Sequence, residues 1–371
     1  MRAANAREAQ GHRVIHMEVG QPGTPAPRPV RDAAVAALAN DRLGYAEALG
    51  LAALRARIAR HYGDAYGVDL APSRVVITSG SSGGFVLAFL ACFDAGARIG
   101  LAMPSYPAYR NIMKALDLVP VPIPSDAAQG YQLTARALDA VAGAQRLDGV
   151  LVASPANPTG AMIPPEQVFA IADVARARGL RLISDEIYHR LTYGTVAETT
   201  LAAVDANAFV VNSFSKYYSM TGWRIGWLVV PENLVRPIER LAQNLFISVS
   251  TLSQLAAIHA FDATAELDAN LAVYRANRAL LQAELPKAGF SKLAPCDGAF
   301  YIYADVRDLT DDGEALCHRI LHDADVAVTP GTDFDPVAGH AALRFSFAGP
   351  TDHMTEAVAR LKRLDLAARG H

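Results

Sequence analysis

Between residues 74 and 212, short apolar runs alternate with longer stretches of helical periodicity, and few folds accommodate that pattern. The runs at 74–78, 99–103, 118–123, 149–154, 180–185 and 208–212 are rich in Val, Ile and Leu, with little polar alternation. Strands that are apolar on both sides belong in a parallel sheet covered on both faces. The stretches at 85–93, 109–116 and 165–178 have the length and composition of covering helices. One more apolar run, 225–230, follows a polar loop. Sheets of this kind bind ligands beyond the carboxyl ends of their strands, so function is to be sought there.

Outside this block the pattern loosens. A short strand at 14–19 ends at Gly20, and helices are expected at 30–40, from Leu51 to Tyr62, over 232–261 and over 265–285. Strands at 290–293, 299–304, 326–329 and 342–347, with helices at 313–322 and 352–367, read as a smaller α+β unit. The strand at 14–19 is expected to return to it. The fold class is therefore α/β, a three-layer large domain with a mostly parallel sheet plus a smaller α+β domain. The large domain spans 30–268, and the small one combines 1–29 with 269–371.

Of the residues, 51% are hydrophobic and 19% charged, with a formal net charge of −3. That balance excludes a disordered chain and speaks against a nucleic-acid partner. No apolar run approaches the roughly 20 residues that span a bilayer. The start, MRAANAREAQGHR, has no apolar core of the kind a signal peptide carries, so a cytoplasmic protein without a membrane partner is expected. Cys92, Cys296 and Cys317 are too scattered for a disulfide framework or a metal site.

Polar residues follow each strand in turn. After 74–78 comes Gly80-Ser81-Ser82-Gly83, a turn opening a helix, where free N–H groups and hydroxyls can hold an anion. It fits neither GxGxxG nor GxxxxGK[ST], which removes the usual dinucleotide and triphosphate loops. After 99–103 comes PSYPAY, in which Tyr106 offers an aromatic plate. After 149–154, Asn157 is held between two prolines, and the next strand ends in Asp185 with Tyr188 beyond it. The strand at 208–212 leads into Ser213, Ser215 and Lys216, and Arg224 follows eight residues later. Singly, each has a plain reading, as a turn, a cap or a solvated loop. Jointly they match a planar, phosphorylated aromatic aldehyde with a ring nitrogen, and pyridoxal phosphate has all of those features.

The ordered segments HMEVGQP, RLGYAEALGLAALR, VITSGSSGG, PSYPAY, SPANPTG, SDEIYHRLTY, SFSKYYSMTGWRIGW, DGAFYIY, VTPGTDF and LRFSF resemble the class I/II aminotransferases. These are fold-type I pyridoxal-phosphate enzymes with an aspartate-aminotransferase-like architecture, and the likeness covers nearly the whole chain. The resemblance implies an aminotransferase that moves an amino group between an L-amino acid and a 2-oxo acid through a Lys216 aldimine. Lys216 would also shuttle the proton, and Asp185 would pair with the ring nitrogen. Asn157 and Tyr188 would bond the phenolic oxygen, and Tyr106 would stack on the ring. Ser81, Ser82, Ser213, Ser215 and Arg224 would hold the phosphate. Arg344 would grip the substrate carboxylate, with Gly20 beside it. Tyr45 would reach the phosphate of a neighbouring subunit, which makes a homodimer with shared sites expected, with either a misassigned start or a short N-terminal arm.

The resemblance leaves two other activities open, β-elimination at a carbon–sulfur bond and a non-catalytic ligand-binding or regulatory role. A NAD-dependent dehydrogenase fails for want of the glycine fingerprint. No second Arg or Lys can be placed against a dicarboxylate side chain, so an aspartate or glutamate preference has no support in the sequence.

Overall fold

The computed structural model describes residues 1–364. The strands, in chain order, are β1 (Ile15–His16), β2 (Val75–Thr78), β3 (Arg98–Met103), β4 (Val119–Pro124), β5 (Gly149–Ala153), β6 (Arg181–Asp185), β7 (Phe209–Ser213) and β8 (Gly226–Val229). After them come β9 (Lys292–Leu293), β10 (Tyr301–Asp305), β11 (Val326–Ala327), β12 (Thr329–Pro330) and β13 (Ala342–Ser346).

One sheet runs in the order β2-β8-β7-β6-β5-β3-β4. The pairings from β7 to β4 are parallel, and β8 lies antiparallel between β2 and β7. Apolar side chains leave both faces. On β5, Val150 and Val152 enter one hydrophobic cluster and Leu151 the other, and on β7 Val210 parts from Phe209 and Val211 in the same way. Each such side chain contributes about 1.5–3 kcal/mol when fully buried, which fixes the register of the whole layer. The expected mostly parallel, doubly covered α/β sheet is present.

A second sheet, β12-β13-β10-β9, is antiparallel. The N-terminal strand β1 pairs in parallel with β11, which brings the N-terminal segment against the C-terminal part of the fold. A long helix, Thr264–Glu284, packs against the helix Thr351–Leu361. Among the described residues no helix is long and apolar enough to cross a membrane.

Several elements differ from expectation. The sequence GSSGG is no separate turn, because the helix begins at Gly80 and runs to Cys92. A Cβ on Gly84 would lie 3.2 Å from Leu228 and 3.3 Å from Val211, so this glycine serves close packing of helix on sheet. The helical region over 232–261 is two helices, Val235–Phe246 and Thr251–Ile258, parted where Ile247 takes φ of +62°. A helix at Ala135–Ala144, with the Thr134 hydroxyl accepting from the Ala137 N–H at 3.1 Å, was not anticipated. The strand at 14–19 shrinks to two residues. Beyond Met17 its carbonyls turn to side chains: Glu18 O accepts from Arg344 and Gly20 O from Lys216. The last helix ends at Leu361, and the expected residues 365–367 lie outside the described residues.

Candidate active site

The strand ends β2, β3, β5, β6 and β7 meet the segment after β1 and the residue Arg344 of β13 around a cleft of about 330 Å³. Gly20, Ser81, Ser82, Tyr106 and Asn157 line it, as do Tyr188, Ser215, Lys216, Arg224 and Arg344. Residues more than 300 positions apart in sequence thus share one wall.

At one end the first turn of the helix Gly80–Cys92 faces a guanidinium. Gly80 has φ of +66°, and a Cβ there would stand 2.3 Å from Arg224 Nη2. Only glycine lets the guanidinium lie this close to the helix N-terminus. Arg224 is itself in the left-handed region at φ +51°, and its Nη1 donates to Thr221 O at 3.0 Å. No acidic residue sits in that first helical turn. The turn therefore offers N–H groups, the Ser81 and Ser82 hydroxyls and a cation with no competing anion, the donor set a phosphate dianion needs. Ser215 lines the same cleft, whereas Ser213 does not. Ser213 Oγ lies 2.8 Å from Ser215 Oγ and 3.1 Å from Ile225 O, and it accepts from the Ser215 N–H at 3.1 Å. It orients Ser215.

At the other end, behind the lining residues Tyr109 and Ile187, is Asp185, the last residue of β6, 2% exposed. The Tyr109 hydroxyl donates to its Oδ2 and the Ile187 N–H to its Oδ1 at 3.0 Å. Burial pushes the carboxyl up to about 6, against the pull of these two hydrogen bonds. It forms no salt bridge with any described Lys or Arg. A buried carboxyl without a cation is costly, so the site fits a ligand bearing a protonated nitrogen. Tyr109 was missed in the sequence, although the same PSYPAY segment contains it. Tyr106 stands edge-on to it, with ring centroids 5.5 Å apart.

Between these ends, Lys216 Nζ donates to Gly20 O at 2.6 Å. Burial first, and then the nearby Arg344, lower its ammonium to about 8, with Asp185 opposing. A lysine so placed is an amine available as nucleophile and base. The Tyr188 and Tyr301 hydroxyls lie 2.6 Å apart, and a Cβ on Gly20 would fall 2.1 Å from the Tyr301 oxygen. Tyr301 was also missed; its segment, DGAFYIY, was noticed but no role was given to it.

Arg344 is 5% exposed. Its Nη1 donates to Asn157 Oδ1 at 2.9 Å, and its Nη2 to Glu18 O at 2.6 Å and Thr329 Oγ1 at 3.2 Å. The guanidinium is sandwiched by Tyr301 and Phe334, at 4.4 and 4.8 Å from the ring centroids. Its Nε is buried without a partner, as suits a group that awaits a carboxylate. Tyr45 is 85% exposed and lies outside the cleft of its own chain.

Residues 12–361 match the family model described as aminotransferase class I and II. The chain is 51% identical to a valine–pyruvate aminotransferase of Mycobacterium tuberculosis, over 97% of this chain and 93% of that protein. It is 31% identical to a (5-formylfuran-3-yl)methyl phosphate transaminase of Methanocaldococcus jannaschii, with the same coverage of 97% and 93%. Among solved structures, an aminotransferase from Mycobacterium tuberculosis superposes with a TM-score of 0.94 at 50% identity, covering 97% of this chain and 93% of that one. Aspartate aminotransferase from Thermus thermophilus with maleate gives a TM-score of 0.90 at 28% identity, covering 97% and 95%.

Proposed function

This chain belongs to the class I and II aminotransferases, whose reaction moves an amino group between an amino acid and a 2-oxo acid, and on that premise we propose that it does so with pyridoxal phosphate on small neutral L-amino acids. The observation that carries the cofactor reading is one cleft lined by the Arg224 guanidinium, packed against Gly80, and by the Lys216 amine, with the buried carboxyl of Asp185 directly behind its lining residues Tyr109 and Ile187. When bound, pyridoxal phosphate supplies an aldehyde and a protonated ring that accepts the electron pair of a broken Cα–H bond.

The rest is the work of the protein. Arg224, Ser81, Ser82 and Ser215 hold the phosphate, and Ser213 fixes Ser215. Asp185 would pair with the protonated ring nitrogen as a carboxylate, with Tyr109 keeping its orientation. Asn157 and Tyr188 would donate to the phenolic oxygen, and Tyr106 would stack on the ring. Arg344 binds the substrate carboxylate beside Gly20. Lys216 Nζ, neutral in growing proportion as pH approaches 8, takes the proton from Cα and returns it. Residues 30–268 supply the cofactor cradle and the remainder of the chain the carboxylate clamp. Tyr45, exposed at the surface, would complete the cradle of a second copy in a homodimer.

The side-chain preference rests on the cations of the cleft and on one relative. The Lys and Arg residues that line the cleft are Lys216, Arg224 and Arg344, each already assigned to the cofactor or the α-carboxylate. Arg110 donates to the carbonyls of Asp333 and Phe334 and does not line the cleft. A dicarboxylate side chain would find no further cation on that wall. The relative named for valine and pyruvate agrees with this. A screen of L-valine, L-alanine, L-aspartate and L-glutamate against pyruvate and 2-oxoglutarate tests the reading. The neutral donors should lead by 100-fold or more, on the order of 3 kcal/mol in kcat/KM; a preference for aspartate contradicts it. Cystathionine offered without an oxo acid should yield no pyruvate.

A further inference from the structure

A second cavity, about 180 Å³, shares no lining residue with the cleft. Its walls include Arg57, His61, Arg190, Phe261 and the two residues that follow the reactive lysine, Tyr217 and Tyr218. Arg57 sits in the helix Ala52–Tyr66 with its side chain 14% exposed. Its guanidinium lies over the Phe261 ring at 4.3 Å, and its Nε and Nη1 are buried without partners. Nη2 reaches Asp262 only at 3.8 Å, beyond hydrogen-bond distance. Two unpartnered donors on a buried cation cost more than an ordinary orphan, and such groups call for an explanation.

The cavity supplies one. Arg190 takes φ of +72°, a conformation non-glycine residues seldom hold, and its guanidinium faces the Tyr217 ring at 5.6 Å. Two guanidinium groups therefore serve one small cavity from different elements. His61 on the same wall is held down at about 4, by burial first and then by Arg190 and Arg57, with Glu198 and Asp64 opposing. Asp64, also on the wall, is exposed and does not reach Arg57.

We infer that this cavity is a second anion site, built by Arg57 and Arg190 for a small oxyanion of the carboxylate or phosphoryl class, next to the segment that carries Lys216. Planar guanidinium forks match both anions, and the volume admits either with water. Bound there, the anion would tie the helix Ala52–Tyr66 to Tyr217.

The probe is inorganic phosphate, titrated calorimetrically into the enzyme already loaded with pyridoxal phosphate, so that the first phosphate cradle is filled. The same titration is repeated on Arg57→Gln, Arg190→Gln and Arg344→Gln, the last removing the substrate-carboxylate site. Saturable binding is expected in the parent and in Arg344→Gln, weakened tenfold or more by Arg57→Gln and by Arg190→Gln. The cofactor spectrum of each variant confirms that it is folded. Absence of saturable binding in the parent overturns the assignment, and so does a site lost with Arg344 and kept without Arg57.

Discussion

Arg344 Nη1 donates to Asn157 Oδ1 at 2.9 Å, a bond between residues 187 positions apart. It joins the group that would bind the substrate carboxylate to the one that would bind the phenolic oxygen of the cofactor. The remaining contacts of Arg344, to Glu18 O, Thr329 and two aromatic faces, fix its fork before any ligand arrives. Preorganisation of that kind favours binding without later reordering.

Arg344→Gln should therefore lower kcat/KM for the amino donor by 100-fold or more, about 3 kcal/mol, by removing a charged bidentate partner. The visible absorbance of the bound cofactor should persist, because Lys216, Asp185 and Arg224 are untouched. Loss of cofactor binding would place Arg344 in the wrong role.

Gly80→Ala addresses the phosphate cradle. A methyl group 2.3 Å from Arg224 Nη2 must displace the guanidinium, and φ of +66° adds backbone strain. The dissociation constant of pyridoxal phosphate should rise tenfold or more, at least about 1.4 kcal/mol. Equilibrium dialysis measures it, and an unchanged constant would separate Arg224 from the phosphate.

Asp185 predicts a trade between stability and function. Between the ordinary carboxylate value of 3.8 and the folded value near 6, the folded cofactor-free protein keeps a proton that the unfolded chain has lost. Its stability therefore falls as pH rises through that window and stays reduced above it, by roughly 3 kcal/mol. Asp185→Asn should relieve this at about pH 7.5 and give little gain near pH 4, as read from urea unfolding of the cofactor-free proteins. The loaded variant should lose turnover by 100-fold or more, on the order of 3 kcal/mol. A destabilised variant at neutral pH would show that the carboxylate is satisfied without a ligand.

Much of this site was legible in the sequence, since Lys216, Asp185, Asn157 and Arg224 follow or end apolar strands, and strand ends converge; Arg344, inside β13, came only from the family resemblance. That convergence made five ambiguous loops into one chemistry. Tyr109 and Tyr301 were harder, because each reads as packing until its hydroxyl is seen against Asp185 or Tyr188. The helix at Ala135–Ala144 had its own signal, a capping Thr134 three residues before Ala137, and was passed over between two stronger strands. The glycines at 80–84 misled for a physical reason. Glycine marks a turn and also permits a helix to touch a sheet, and only the contact with Val211 and Leu228 distinguishes the two.

The Lys216 amine should capture pyridoxal phosphate faster as pH rises, with a midpoint near 8. At pH 7 only about one tenth of it is neutral, and only the neutral form is a nucleophile. Stopped-flow absorbance of the cofactor-free protein across about pH 6.5–9.5 would follow this. A midpoint near the ordinary 10.5 would mean that the buried setting of Lys216 does not persist in solution.

The account depends most on Lys216 itself, and Lys216→Ala puts that to the test in one cuvette. Pyridoxal phosphate should still bind through Arg224 and Asp185, but the lysine-bound absorbance should be absent. Transfer from L-valine to pyruvate should fall by about 10⁴-fold or more, on the order of 5 kcal/mol. A variant that keeps that absorbance, or turns over at the rate of the parent, would contradict the assignment of Lys216 as the reactive amine.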